Sequence, residues 1–98
     1  MANKMRAIHP GEILKAELEE LNLSANAFAK ALDVPTNRIT AILNEQRSVT
    51  ADTALRLAQF FGMSPDFWMN LQQRWDLYHA KQDESESLQE IKPFASAI

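Results

Sequence analysis

At 98 residues with 46% apolar content, the chain has material for one domain with a modest core and not for two. Cysteine is absent, which excludes a disulfide framework and a thiolate metal site. No apolar run approaches membrane-spanning length or the core of a secretion signal, so a cytoplasmic protein is expected, and a net charge of −3 makes the placement of the basic residues decisive for any phosphate-bearing partner.

Two glycines, four prolines and no alternating apolar stretches predict an all-α fold. The pattern divides into a short flexible arm at residues 1–8, a five-helix domain at residues 9–80 and a flexible acidic tail at residues 81–98. Lys4 and Arg6 in the arm read first as part of a solvated terminus, with contact to phosphate as the alternative. His9-Pro10-Gly11-Glu12 opens the first helix, with proline suited to its first position and Glu12 to the positive end of its dipole. His9 reads as a cap or packing residue, because no second ligand stands at metal-binding spacing. Ile13, Leu14, Leu18 and Leu21 form the apolar side, and Asn22-Leu23 ends it.

The stretch from Ser24 to Leu43 organises the chain. Ala25, Phe28, Ala29 and Leu32 recur at helical steps, as do Ile39, Ile42 and Leu43, so two short helices each carry one apolar side. Ser24 caps the first, Pro35 opens the second, and a turn of about three residues joins them, the length of a helix-turn-helix. Ala29 is small where the two helices cross. Asp33 stands where such a turn usually has glycine, and aspartate tolerates the left-handed backbone better than most residues.

With Ile39, Ile42 and Leu43 turned inward, Asn37, Thr40, Ala41 and Asn44 face outward, and Thr36 and Arg38 lie on the flanks. Amide, hydroxyl, methyl and guanidinium groups without an acid are the chemistry that reads base edges in the major groove of double-stranded DNA. Ser24 and, in the polar loop after the helix, Arg47 complete the candidate contacts, Arg47 toward a phosphate. Residues 1–50 hold six basic and six acidic side chains, four of the acids on the helix before the motif, so the reading edge is mildly positive and a dimer is needed for tight binding.

Thr50 is placed to cap a fourth helix whose Ala54, Leu57, Ala58 and Phe61 share a face that Leu55 and Phe60 broaden, and Gly62 stops it. Ser64-Pro65-Asp66 starts the fifth with a cap, a first-turn proline and an acid. Its large side chains spread around more than one face. A core already supplied with Leu, Ile and Phe leaves a surplus, which nominates Trp68, Leu71, Trp75 and Tyr78 as a homodimer interface, the alternative being that both tryptophans complete the core.

The run His9-Pro10-Gly11-Glu12-Ile13-Leu14, the helix-turn-helix, Thr50-Ala51-Asp52-Thr53-Ala54-Leu55-Arg56-Leu57-Ala58 and above all Ser64-Pro65-Asp66-Phe67-Trp68-Met69-Asn70-Leu71-Gln72 together resemble the HigA antitoxins. These are a branch of the phage-repressor-like, or XRE-type, helix-turn-helix regulators, and the resemblance covers roughly His9 to Ala80. It implies a five-helix DNA-binding domain that dimerises, represses its own toxin-antitoxin operon at a palindromic operator and neutralises a HigB-type toxin, a small RelE-like ribonuclease that cuts messenger RNA on the ribosome. By matched positions, Thr36, Asn37, Arg38 and Thr40 would contact the operator. A stand-alone repressor of the same fold without a toxin is the alternative, and a helical interaction module that binds no DNA is a third. An enzyme is not expected, since two distant histidines and solvent-facing carboxylates supply no nucleophile with an adjacent base, and no metal or cofactor is implied.

Overall fold

The computed structural model describes residues 6–94, and within them the chain is helical with no strand. In order the helices are α1 (Pro10–Leu21), α2 (Ala25–Leu32), α3 (Thr36–Leu43), α4 (Ala51–Phe61), α5 (Pro65–Asp83) and α6 (Ser85–Gln89). Lys4 falls outside the described residues. Arg6 is within them, and its guanidinium pairs with the Glu12 carboxylate at 3.3 Å.

Starts and stops of the helices follow from local chemistry. Ser24 Oγ accepts from the Ala27 amide at 3.0 Å, and Ser64 Oγ accepts from the Asp66 amide at 3.1 Å. Each hydroxyl satisfies one of the amides that a helix start leaves without a partner. Pro35 and Thr50 occupy capping positions without a side-chain hydrogen bond, so Pro35 sits just before α3 and not in its first turn. Helices α1 to α4 all end in the same way. Asn22, Asp33, Glu45 and Gly62 adopt left-handed backbone at φ 56°, 59°, 62° and 68°. The amide one residue further on then reaches back to close each helix: Leu23 to Leu18 O, Val34 to Ala29 O, Gln46 to Ala41 O and Met63 to Ala58 O, all at 2.8 to 3.0 Å. Leu23, Val34 and Met63, which follow these stops, pack against the core.

The core is one cluster that includes Leu14 and Leu18 of α1, Phe28 and Leu32 of α2, Ile39 and Ile42 of α3, Leu57 of α4 and Trp68 of α5. Three expected core residues lie elsewhere. Leu21 is 48% exposed in the last turn of α1, and Leu55 and Phe60 point outward from α4 at 60% and 39%. The edge of Phe60 still meets the ring of Phe28 at 5.0 Å between centroids.

The N-terminus of α1 is fixed by packing as well as by caps. His9 is buried, and its Nδ1 accepts the Gly11 amide at 2.8 Å. That bond leaves the ring proton on Nε2, and burial lowers the imidazole pKa from its ordinary value. Gly11 is also buried, pressed directly against the backbone of Ile42 at the end of α3.

Helix α5 is where expectation and structure part. Its 19 residues span about 28 Å, and the molecule's extents are 55 × 26 × 23 Å. Trp68, expected at a dimer interface, is 1% exposed and packs beside Phe61 in the core, so that assignment is corrected. Leu71 is half-buried against the same cluster. Trp75 is half-buried, edge-on to His9 at 5.0 Å and close to His79 at 4.2 Å. Tyr78 is exposed. The helix continues past Ala80 into the segment expected to be a tail, and α6 then folds against α5 as a sixth helix. Five residues long and without a buried side chain, α6 adds nothing to the core.

Candidate nucleic-acid interface

The outward side of α3 is built by what its inward side buries. Ile39 and Ile42 are fully enclosed, which leaves Asn37 and Asn44 exposed and Thr40 and Ala41 half-exposed between them. None of these four side chains is charged. Thr40 Oγ1 donates to the Asn37 carbonyl at 3.3 Å, the back-bond that a helical threonine makes, and its lone pairs stay available. Asn37 and Asn44 make no side-chain hydrogen bond among the described residues. An amide in that state can present donor and acceptor together to a base edge.

The flanking candidates are tied down. Thr36 Oγ1 donates to Asn26 Oδ1 at 2.8 Å, which braces the start of α3 against α2. Arg38 Nη1 donates to Asp52 Oδ2 at 2.7 Å, across to the first turn of α4. Asp52 accepts as well from Arg56 Nε at 3.2 and 3.3 Å, and Arg56 Nη1 donates to the Leu32 carbonyl at 2.8 Å. Arg38 first and Arg56 second hold the Asp52 carboxyl below the usual carboxylate range. Ser24, at the start of the motif, accepts the Ala27 amide as the α2 cap and keeps its hydroxyl proton to donate.

The loop after α3 carries Arg47, exposed, and Glu45, exposed and left-handed. It is held from behind by Gln72, a buried residue of α5. Gln72 Oε1 accepts the Val49 amide at 2.8 Å, and Nε2 donates to Asp76 Oδ1 at 3.0 Å and Ser48 Oγ at 3.3 Å. A buried amide with both ends satisfied fixes the loop to the scaffold.

Asn26, Asp52, Arg56 and Gln72 are therefore structural parts of this face that sequence reasoning did not single out. Asp52 and Arg56 carried a signal, the i, i+4 spacing of a helical ion pair. Gln72 carried none, since its place one turn after Trp68 becomes telling only once the fold buries Trp68. Among the described residues no group of three histidines, cysteines or carboxylates is placed to hold a metal ion, and no helix is long and apolar enough to cross a membrane.

The fold has counterparts among known proteins. The helix-turn-helix family HTH_3 matches residues 14–68, which runs from α1 into α5. A solved structure of an addiction module antidote protein of a HigA family from Coxiella burnetii is 55% identical, with 91% of this chain and 99% of that chain covered and a TM-score of 0.86. A structure of the Pseudomonas aeruginosa antitoxin HigA with the higBA promoter is 43% identical over 91% of this chain and 99% of that one, with a TM-score of 0.87. Virulence-associated protein I of Dichelobacter nodosus is 50% identical over 95 residues, 96% of this chain and 87% of the relative.

Proposed function

We propose, from the premise that the chain belongs to the HigA family of helix-turn-helix proteins, that it is an antitoxin which represses its own operon as a homodimer and neutralises a HigB-type toxin. The observation that carries the DNA-binding part is the outward side of α3: a row of uncharged, largely unpartnered polar groups on a helix whose other side is rigidly buried. The P. aeruginosa antitoxin of the same fold, solved with promoter DNA, supports placing that helix against a duplex.

Asn37 is assigned to a base and Arg47 to a phosphate. Asn37→Ala should weaken binding to the DNA upstream of the gene by about 1 to 3 kcal/mol and relax preference at one position, the behaviour of a lost side-chain-to-base contact. Anisotropy titrations against a panel of single-position variants measure both effects. Equal affinity and equal selectivity would remove Asn37 from the interface. The toxin part is tested by co-expression: the neighbouring gene's product should arrest growth alone and not alongside this chain. A stand-alone repressor would bind the DNA and rescue nothing.

Dimerisation is assigned to the outer half of α5 with α6. Two reading helices related by a two-fold axis can stand about 34 Å apart, one turn of the duplex. With Trp68 and Leu71 committed to the fold and Trp75 laid on His9, the exposed large apolar side chains in the outer half of α5 and in α6 are Tyr78 at 37% exposure, Leu77 at 66% and Leu88 at 48%. Leu77, Ala80, Lys81, Glu84 and Leu88 line one open groove between the two helices. Leu77→Glu should give a monomer in sedimentation with unchanged helical circular dichroism, and operator binding should fall at least about tenfold because each monomer keeps only one reading helix. A persistent dimer with full affinity would move the axis elsewhere.

A further inference from the structure

We infer that Asp52, on α4 and outside the reading helix, is a specificity-determining residue that positions the Arg38 guanidinium for a guanine edge. The inference rests on the DNA-binding reading given above. Arg38 makes one side-chain hydrogen bond among the described residues, from Nη1 to Asp52, and is 25% exposed while Asp52 is 54% exposed. The remaining guanidinium N–H groups have no acceptor among the described residues, and they belong to a rigid planar fork, the geometry that meets guanine O6 and N7 with two parallel bonds. A single tether at one corner orients such a fork without consuming it.

The tether is itself held. Arg56 donates to Asp52 through Nε and to the Leu32 carbonyl through Nη1, so Asp52 is anchored to α2 and α4. An ion pair this exposed contributes little to folding stability, so fold stability alone is a poor reason for placing an acid beside a DNA-reading face. It serves discrimination better. A carboxylate there repels phosphate, and it penalises any duplex that offers Arg38 no base acceptor in return.

The test uses a duplex that the wild-type protein selects from a random pool, a scrambled duplex of equal length, and anisotropy titrations over a series of salt concentrations. For Asp52→Asn the ratio of selected to scrambled affinity should fall about tenfold, mainly because scrambled DNA binds more tightly. The salt slope on scrambled DNA should steepen by about one, as one more phosphate contact forms. In an Arg38→Ala background the same substitution should leave the ratio where Arg38→Ala alone put it, since Asp52 acts through Arg38. Arg56→Ala, which removes the anchor but not the tether, separates loosened packing from loss of the carboxylate and should keep most of the ratio. Asp52→Ser provides a second removal of the charge if asparagine disturbs α4. An unchanged ratio in wild-type background, or an equal drop without Arg38, overturns the positioning role alone. A wild-type protein that does not prefer any selected duplex overturns the DNA-binding reading, and the positioning role with it.

Discussion

Trp68→Ala should lower the stability of the fold by about 3 to 5 kcal/mol, the cost of emptying a large aromatic site in a core that cannot collapse around it. Few domains of this size have more than about 5 to 15 kcal/mol in total, so a thermal melt followed by circular dichroism should fall by more than about 10 °C. The side chain is 1% exposed and joins the cluster that links α1, α2, α3 and α4. Trp68→Phe should be much milder. The indole Nε1 is buried without a hydrogen-bond partner, so phenylalanine removes an unsatisfied donor while keeping most of the ring. If Trp68→Ala melted like wild type but sedimented as a monomer, the residue would belong to the dimer surface after all. Tyr78→Ala is the control, because an exposed ring on α5 has little folded structure to lose.

The contrast between Trp68 and Tyr78 also marks where sequence stops being informative. Helix starts and stops were legible because their causes are local: Ser24 and Ser64 cap through hydroxyls a few atoms away, Asp33 and Gly62 bring the left-handed backbone with them. The inward and outward sides of α3 were legible because three apolar residues at helical spacing leave one way to turn it. Helix α5 offers no such constraint. Large side chains occur all round it, so which of them the core takes depends on where α1 and α4 lie, and that is settled only by the packed fold. Polar partners are harder still. Arg38 reads as a free cation until Asp52, 14 residues on, is brought to 2.7 Å. Gln72 reads as a surface residue until the loop that it holds folds over it. Glu45 gave no sign of its left-handed backbone, since glutamate has no preference for it, and the geometry of the stop imposes it.

Gly11→Ala tests how far the reading helix depends on a residue that touches no DNA in this assignment. In an ordinary helix alanine stabilises relative to glycine by about 1 kcal/mol, so propensity alone predicts a gain. Packing predicts the reverse, and it dominates. A Cβ at Gly11 would stand 1.9 Å from the Ile42 carbonyl oxygen and 2.9 Å from its carbon, which are backbone atoms with no rotamer to escape into. Either α1 or the end of α3 has to move, at a cost of about 2 to 3 kcal/mol for overpacking of this kind. The same carbonyl accepts the Glu45 amide at 2.9 Å, one of the bonds that ends α3 and aims the loop carrying Arg47. Operator affinity should therefore fall by at least about tenfold at temperatures where the variant is still folded, as misplaced recognition groups lose their base contacts. Gly62→Ala is the matched comparison. Its backbone is left-handed at φ 68°, but nothing lies within 4 Å of a Cβ there, so it carries conformational strain of about 1 to 2 kcal/mol and no clash. That variant should melt earlier than wild type and bind DNA as well. A Gly11→Ala protein with wild-type stability and affinity would mean that α1 and α3 can separate freely, and that the position of the reading helix is set by α2 alone.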